Sequence, residues 1–445
     1  MKREAPRLKA PPTHGKVREI ISKDIALMAR SYKRPYPLVI KRVKGSMVED
    51  LNGNIYIDLT SGFGMLPLGG LHQSVIEAIK DQSNKLLAYS LRAAYDESVV
   101  ELIEEISRIA PIRGDLRAMI FSSLSEAVEA ALRALSWRSG RRLFLSFHGA
   151  FHGSTLMASA LSSDQPQRRK AIGFSNILYA PYPYCFRCFA GLRPNECGLR
   201  CLRYLGDLLS RVSAEEVAAA LIEPIEVEGG VIVPPENYLQ GLASTLKKRR
   251  IILLVNESMT APGRSGRWFA IERWRVDADA ICLGPSIASG LPLGILIARE
   301  DLLELEPGMH ESIDDGCQLS ISAALATLRS IKDEGLIERA DRIGREILKR
   351  FRDLGEELEI IGDVRGSGLL LGIELIKEDE LPDEELAESL AKECFRSGLI
   401  VRRRGSTLIL TPALNIEEEV LEKGLEILEA KLREFSSLRS RASSS

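Results

Sequence analysis

The sequence predicts an α/β protein: a large domain on a mostly parallel sheet with helices on its faces, then a smaller α+β domain. Three observations carry this. From about residue 60 to residue 311, short apolar segments alternate with amphipathic segments of helical period. The apolar segments are hydrophobic on both faces, as strands buried between helix layers are. After about Ser312 the pattern changes to two long amphipathic helices, then strands mixed with helices. A chain of 445 residues, 45% of them hydrophobic, is long enough for two cores. The boundaries fall at 1–60 for an arm and hairpin packing with the small domain, 61–311 for the large domain and 312–445 for the small one.

Taken in order, the first forty-odd residues combine many cations with Pro6, Pro11, Pro12, Pro35 and Pro37. They read as a solvated basic arm that wraps another surface, with a short helix near 17–29. SMVEDLNGNIYIDL reads as a hairpin, its strands flanking Asn52-Gly53-Asn54. Helices are expected at 74–82, 97–110 and 125–140, and strands at 118–123, 143–149, 219–224, 251–257, 280–285 and 293–299. In the C-terminal part, helices are expected at 319–332, 336–354, 382–397 and 416–435, and strands at 368–376, 399–403 and 407–412. The tail SSLRSRASSS is polar and predicts disorder.

Several function classes are excluded or disfavoured. The net charge of −2 and an arm poor in aromatics give no reason to expect nucleic acid. No apolar run reaches membrane-spanning length. The first residues lack the apolar core of an export signal, which makes the cytoplasm the expected compartment. Of the 7 cysteines, Cys185, Cys188, Cys197 and Cys201 lie close together as CxxC followed by CxxxC. That spacing is compatible with a tetrahedral zinc, with two disulfides, or with free thiols. Cys282, Cys317 and Cys394 read as small core residues.

The motifs DLNGNIYIDLTSGFG, SEAVEAALR, FHGAFHGST, IEPIEVEGGVIVPP, ESMTAPGRSGRWFA, SGLPLG and VRGSGLLLGIEL occur in this order between Gly45 and Phe435. Together they resemble class-III pyridoxal-phosphate aminotransferases, the group that includes ornithine, acetylornithine and GABA aminotransferases. The cysteine-bearing segment PYPYCFRCFAGLRPNECGLRCL is most similar to archaeal members. The resemblance implies the fold of pyridoxal-phosphate transferases of type I, with a seven-stranded type of sheet in the large domain. It also implies a dimer, a homodimer being expected and a heteromer with another protein the other option.

Position by position, the resemblance also locates a pocket. The phosphate turn, Ser-Gly-Thr in the family, is Ser123-Leu124-Ser125 here. Leu124 is bulky where glycine admits the phosphate, although Ser123 and Glu126 also make a plain capping box. Phe151, followed by His152, matches the aromatic that stacks on the cofactor ring, and Glu223 the carboxylate at the entrance. Asn256 stands where an aspartate keeps the ring nitrogen protonated, and an amide carries no charge for that. Met259 replaces the glutamine at the ring hydroxyl, and Ile313 the threonine that the neighbouring subunit contributes. Three carboxylates near Ile313 (Glu311, Asp314, Asp315) would repel a phosphate, and the substrate-carboxylate arginine aligns with Ile409. The Schiff-base lysine aligns with Pro285, and no lysine occurs between Lys248 and Lys332.

These departures predict a catalytically inactive homologue, a pseudoenzyme with a vestigial pocket that serves as a structural, regulatory or ligand-binding dimer. No covalently held cofactor is then expected. A cationic small molecule is a candidate ligand, given Glu226, Glu311, Asp314 and Asp315. The alternative is a pyridoxal-phosphate aminotransferase or racemase acting on an amino acid through a lysine from elsewhere, such as Lys170 or Lys332.

Overall fold

Asp50 and Asn54 build the turn of the hairpin read from the sequence. The Asp50 carboxylate accepts the Asn52 and Asn54 amides at 2.9 and 2.8 Å, closing the hairpin between β2 (Met47–Asp50) and β3 (Ile55–Asp58). The computed structural model describes residues 5–164, 176–212 and 214–443. Its contacts divide the chain into two compact units, one made of Met1–His72, Arg345–Val364 and Leu369–Ser445, the other of Gln73–Gly344 and Arg365–Gly368.

In the first unit the basic arm is fastened to its own hairpin. Arg7 and Ile55 exchange backbone hydrogen bonds of 2.9 and 2.8 Å, and the Lys9 amide donates to Asn54 Oδ1 at 2.6 Å. Helix α1 follows (Lys16–Leu27), then β1 (Ile40–Lys44). One four-stranded sheet has the order β1-β2-β3-β13, with β13 at Leu399–Ile400. The other has the order β11-β12-β15-β14, formed by Ile361–Ser367, Leu370–Leu375, Thr407–Leu410 and Arg402–Arg404. Phe395, on α10 (Glu384–Arg396), stacks between Tyr36 and Tyr56 with centroid distances of 4.6 and 4.8 Å. The expected disorder of the tail is corrected: α11 runs from Glu418 to Ser443. Arg439 holds its last turns by donating to the Ile376 carbonyl and, at 2.8 Å, to Asp383.

The second unit carries a seven-stranded sheet of order β4-β10-β9-β8-β7-β5-β6. In chain order the strands are β4 (Leu116–Phe121), β5 (Leu143–Phe147), β6 (Ile177–Ala180), β7 (Val217–Ile222), β8 (Ile252–Asn256), β9 (Ala280–Leu283) and β10 (Gly294–Arg299). β5 to β9 run parallel to one another, whereas β10 is antiparallel to both β4 and β9. β7 is buried at every residue, the signature of a strand covered on both faces. Helix α4 (Leu124–Ser139) lies against β4, β7, β9 and β10 through Ala127, Ala130, Ala131, Ala134 and Leu135, the four alanines letting it approach closely.

Residues 312–344 group with this unit, whereas the sequence set the boundary at 312. The reason is α8 (Gln318–Asp333), which packs on α2 (Gln73–Ser83) and α3 (Glu97–Ile109). Its buried Ile321, Ala324, Leu328 and Ile331 complete the core there. α9 (Leu336–Glu357) follows. Among the described residues, no helix is long and apolar enough to cross a membrane.

Candidate functional site

The parallel strands β5, β7 and β8 end together, and their carboxyl ends carry Phe151, Glu223 and Asn256. This is the edge where open α/β sheets bind ligands. Four short contacts lock the three segments. The Phe151 amide donates to Glu223 Oε2 at 2.9 Å, and its carbonyl accepts from Asn256 Nδ2 at 2.9 Å. The same Nδ2 lies 3.1 Å from His152 Nδ1, and Asn256 Oδ1 accepts the Ser258 amide at 3.1 Å. Asn256 therefore spends both ends of its amide on the protein. It is a stitch between β8 and the loop after β5, and this structural use was not legible from its place in the motif.

His152 is fully buried, and burial pulls its imidazole down to about 3. It is neutral at ordinary pH. With Nδ1 facing the Asn256 amide, the ring proton sits on Nε2, which has no hydrogen-bond partner among the described residues.

The N-terminus of α4 forms another wall. Ser123 Oγ accepts the Glu126 amide at 3.3 Å and donates to Glu126 Oε2 at 3.0 Å, a capping box. Leu124 turns into the hydrophobic core around α4 and is 9% exposed. Ser125 Oγ accepts the Ser154 amide at 3.0 Å and presses on Gly153. A Cβ at Gly153, whose φ is +134°, would lie 2.6 Å from that oxygen, so only glycine fits.

Pro285 opens a short 3-10 turn, Pro285–Ala288, directly after β9. The next residue, Ser286, donates its hydroxyl to the carbonyls of Ser258 and Ala261 at 3.0 and 2.8 Å. Met259 is half-buried in the loop after β8. Beside it Glu257 is fully buried and accepts the amides of Ala270 and Ile271 at 3.0 and 2.9 Å and the Thr260 hydroxyl. Sequence reasoning passed over Glu257, although an acidic residue immediately after a strand end was a usable signal.

Glu226 was named only as one of several acids, and its setting is unusual. Its side chain is fully buried, neither carboxylate oxygen has a hydrogen-bond partner among the described residues, and burial with Glu223 and Asp164 nearby holds it protonated. The acids near Ile313 form a separate group whose neighbours are Arg92, His310 and Glu126. Glu311 pairs with Arg92 at 2.6 Å, so its charge is offset, and the Ile313 side chain projects into solvent at 78% exposure. The four acids therefore do not converge on one cationic pocket. In the first unit, Ile409 is paired directly with Gly372 and Arg402. Arg402, which the alignment of motifs overlooked, is buried with its guanidinium 5.2 Å above the Phe63 ring.

Cys185, Cys188, Cys197 and Cys201 line one cavity of about 20 Å³ together with Tyr182 and Phe189. None of the four is in a disulfide, and burial with Cys185 and Cys197 nearby pushes Cys201 up to about 11. Among the described residues no group of three or more His, Cys, Asp or Glu side chains is placed to hold a metal ion. The zinc expectation is corrected on that ground, since zinc needs thiolates converging on one point.

A sequence model of the class-III aminotransferases matches residues 27–432. An alanine/serine racemase of Pyrococcus horikoshii is 32% identical over 445 residues, covering 97% of this chain and 93% of that protein. A leucine/methionine racemase of Thermococcus litoralis is 32% identical over 418 residues, covering 92% and 94%. Among solved structures, a Bacillus anthracis aminotransferase superposes with a TM-score of 0.86 at 26% identity, covering 94% of this chain and 99% of that one.

These findings correct two expectations. A catalytically inactive chain is not what they support, because the relatives matching it almost end to end are named as enzymes. Nor is a chain without pyridoxal phosphate, which is the cofactor of class-III aminotransferases. The residues at position 285 nonetheless do not fit an aldehyde held there, because a proline offers no amine. Lys332 is exposed in the last turn of α8, and Lys170 lies outside the described residues.

Proposed function

Because this chain belongs to the class-III aminotransferase family, we propose that it transforms amino acids with pyridoxal phosphate, as an aminotransferase or a racemase, using an amine from outside position 285. The observation that carries the reading is the end-to-end match to enzymes of amino acid chemistry, 97% of this chain in one case. The strand-end lattice of Phe151, Glu223 and Asn256 supports it, since it holds an aromatic ring at the carboxyl edge of the sheet with its backbone fixed at both the amide and the carbonyl. His152 adds a neutral, buried imidazole whose Nε2 proton is uncommitted. The working unit in this reading is a cytoplasmic homodimer, a heteromer being the other arrangement, and its ligand is a small amino acid rather than nucleic acid.

The test uses the full chain supplied with pyridoxal phosphate. It is offered D- and L-alanine, serine, leucine and methionine, and separately 4-aminobutyrate with a keto acid acceptor. Chiral chromatography and keto acid release are the readouts, and borohydride trapping followed by peptide mapping locates the amine. Turnover of at least one substrate and a trapped peptide lacking residue 285 are expected. The reading fails if the parent turns over nothing and traps nothing, while Pro285→Lys gains an imine absorbance band and a labelled peptide containing residue 285.

A further inference from the structure

At the opposite end of the same sheet, where β8 and β9 begin, the second unit has a bowl of about 580 Å³. That volume is within the range of small-molecule sites, about 300 to 1,000 Å³. Five cations line it: Arg113, Lys247, Arg250, Arg275 and Arg299. Only two carboxylates do, Asp277 and Asp279.

Both acids are already engaged. Arg113 Nε pairs with Asp277 at 2.5 Å. Arg299 pairs with Asp279, and also with Asp301 at 2.9 Å. Asp279 additionally accepts the Leu253 amide at 2.8 Å, so it is fixed to the sheet. That leaves Lys247, Arg250 and Arg275, whose side-chain nitrogens make no hydrogen bond or ion pair among the described residues. Lys247 lies in the last turn of α7 (Tyr238–Lys248), where a cation complements the helix dipole, and this accounts for one of the three. Arg250 directly follows the C-cap Arg249 of that helix, its amide closing on the Lys247 carbonyl at 3.1 Å, and Arg275 caps a short 3-10 turn, Ala270–Trp274. They stand in separate loops on either side of the starts of β8 and β9, and the charge they bring to the bowl has no internal partner. Gln240 and Ser244 add neutral polar groups to the wall, and no aromatic side chain lines it.

We propose that this bowl is a binding site for a small polyanion carrying two or more phosphate or carboxylate groups. Three unpaired cations facing one concavity match a di- or trianion in charge, and two guanidinium forks supply the bidentate geometry such groups accept. Without an aromatic platform, a nucleobase has nothing to stack on, which disfavours nucleic acid. The site is distinct from the one at Asn256. β8 separates them, and its 5 residues span roughly 15 Å at about 3.3 Å per residue. The proposal is independent of the reaction assigned above.

The experiment is calorimetric titration of the full chain with inorganic tripolyphosphate, pyrophosphate and citrate at low salt, repeated at higher salt. Saturable binding that weakens with salt is expected. The charge reversals Arg250→Glu and Arg275→Glu together should weaken it at least tenfold, and Arg275→Ala alone severalfold. Both positions are exposed, and unchanged circular dichroism shows that the variants fold. Absence of binding at millimolar concentration, or binding unaffected by either variant, overturns the proposal. So does tighter binding of a single-stranded oligonucleotide lost in the same variants, which would make this a nucleic-acid surface.

Discussion

Gly294→Ala is expected to destabilise the chain by about 3 kcal/mol, at the upper end of what overpacking costs, and to loosen the start of α4. Gly294 opens β10 and pairs with Phe121 on β4. A Cβ there would stand 2.0 Å from the Ser123 carbonyl oxygen, 2.4 Å from the carbonyl carbon and 3.0 Å from the Leu124 nitrogen. All three are backbone atoms, so no side chain can swing aside. Either β10 slides off β4 or the N-terminus of α4 moves. The second outcome breaks the 3.2 Å bond from the Ala127 amide to the Ser123 carbonyl and disturbs the capping box beside the site. Urea unfolding gives the magnitude, and hydrogen exchange at the Glu126 and Ala127 amides reports the location. Gly206→Ala is the control, because nothing lies within 4 Å of a Cβ at that helical glycine. It should be neutral or stabilising by up to about 1 kcal/mol. Equal stability of Gly294→Ala and the parent would refute the close approach.

The same glycine shows what the sequence could and could not reveal. SGLPLG identified the turn between two apolar strands, and the alternation around it predicted the sheet. That β10 runs antiparallel to both neighbours leaves no trace in residue periodicity, since a strand buried on both faces reads the same in either direction. Ser123 and Glu126 were legible as a capping box because capping is local and needs only the spacing of two polar residues. Asn256 was not, because its bonds to Phe151 and His152 join segments 105 and 104 residues apart. Ser-rich composition misled at the C-terminus, where Arg439 anchors a helix that local propensity alone would leave frayed. Motif alignment sets Pro285 against the family's lysine as an expectation. Whether the chain is an enzyme is a property of all the groups that reach the site, and one aligned position does not decide it.

Stability is expected to fall as pH rises from 5 to 8, the reverse of the usual behaviour of paired carboxylates. Burial lifts Glu257 from 4.5 to about 7 and Glu374 likewise, while Glu226 is pushed well above the carboxylate range by burial first and then by Glu223 and Asp164. A raised native value means that below about 4.5 both states hold the proton and the full contribution is present. Above it the unfolded chain releases the proton, the native state does not, and stability drains away until pH passes the native value. For Glu257 the loss between pH 5 and pH 8 is about 2.5 kcal/mol, from about 1.36 kcal/mol per unit. His152 acts in the opposite sense. Its value falls from 6.5 to about 3, so the unfolded chain binds a proton that the native state refuses, and stability rises with pH between those values. Above 6.5 that compensation is complete and flat, and only the carboxyls still change. Glu257→Gln should therefore be less stable than the parent at pH 5, because the amide cannot accept from Ala270, Ile271 and Thr260 together. Its deficit should shrink by about 2.5 kcal/mol at pH 8, as the linkage above requires. Glu226→Gln, which loses no hydrogen bond, should gain on the parent steadily over the same interval. Chemical denaturation of the three proteins at pH 5, 6.5 and 8 measures this directly. Parallel curves, with the variants' differences from the parent constant in pH, would mean that neither carboxyl is held protonated in the folded chain.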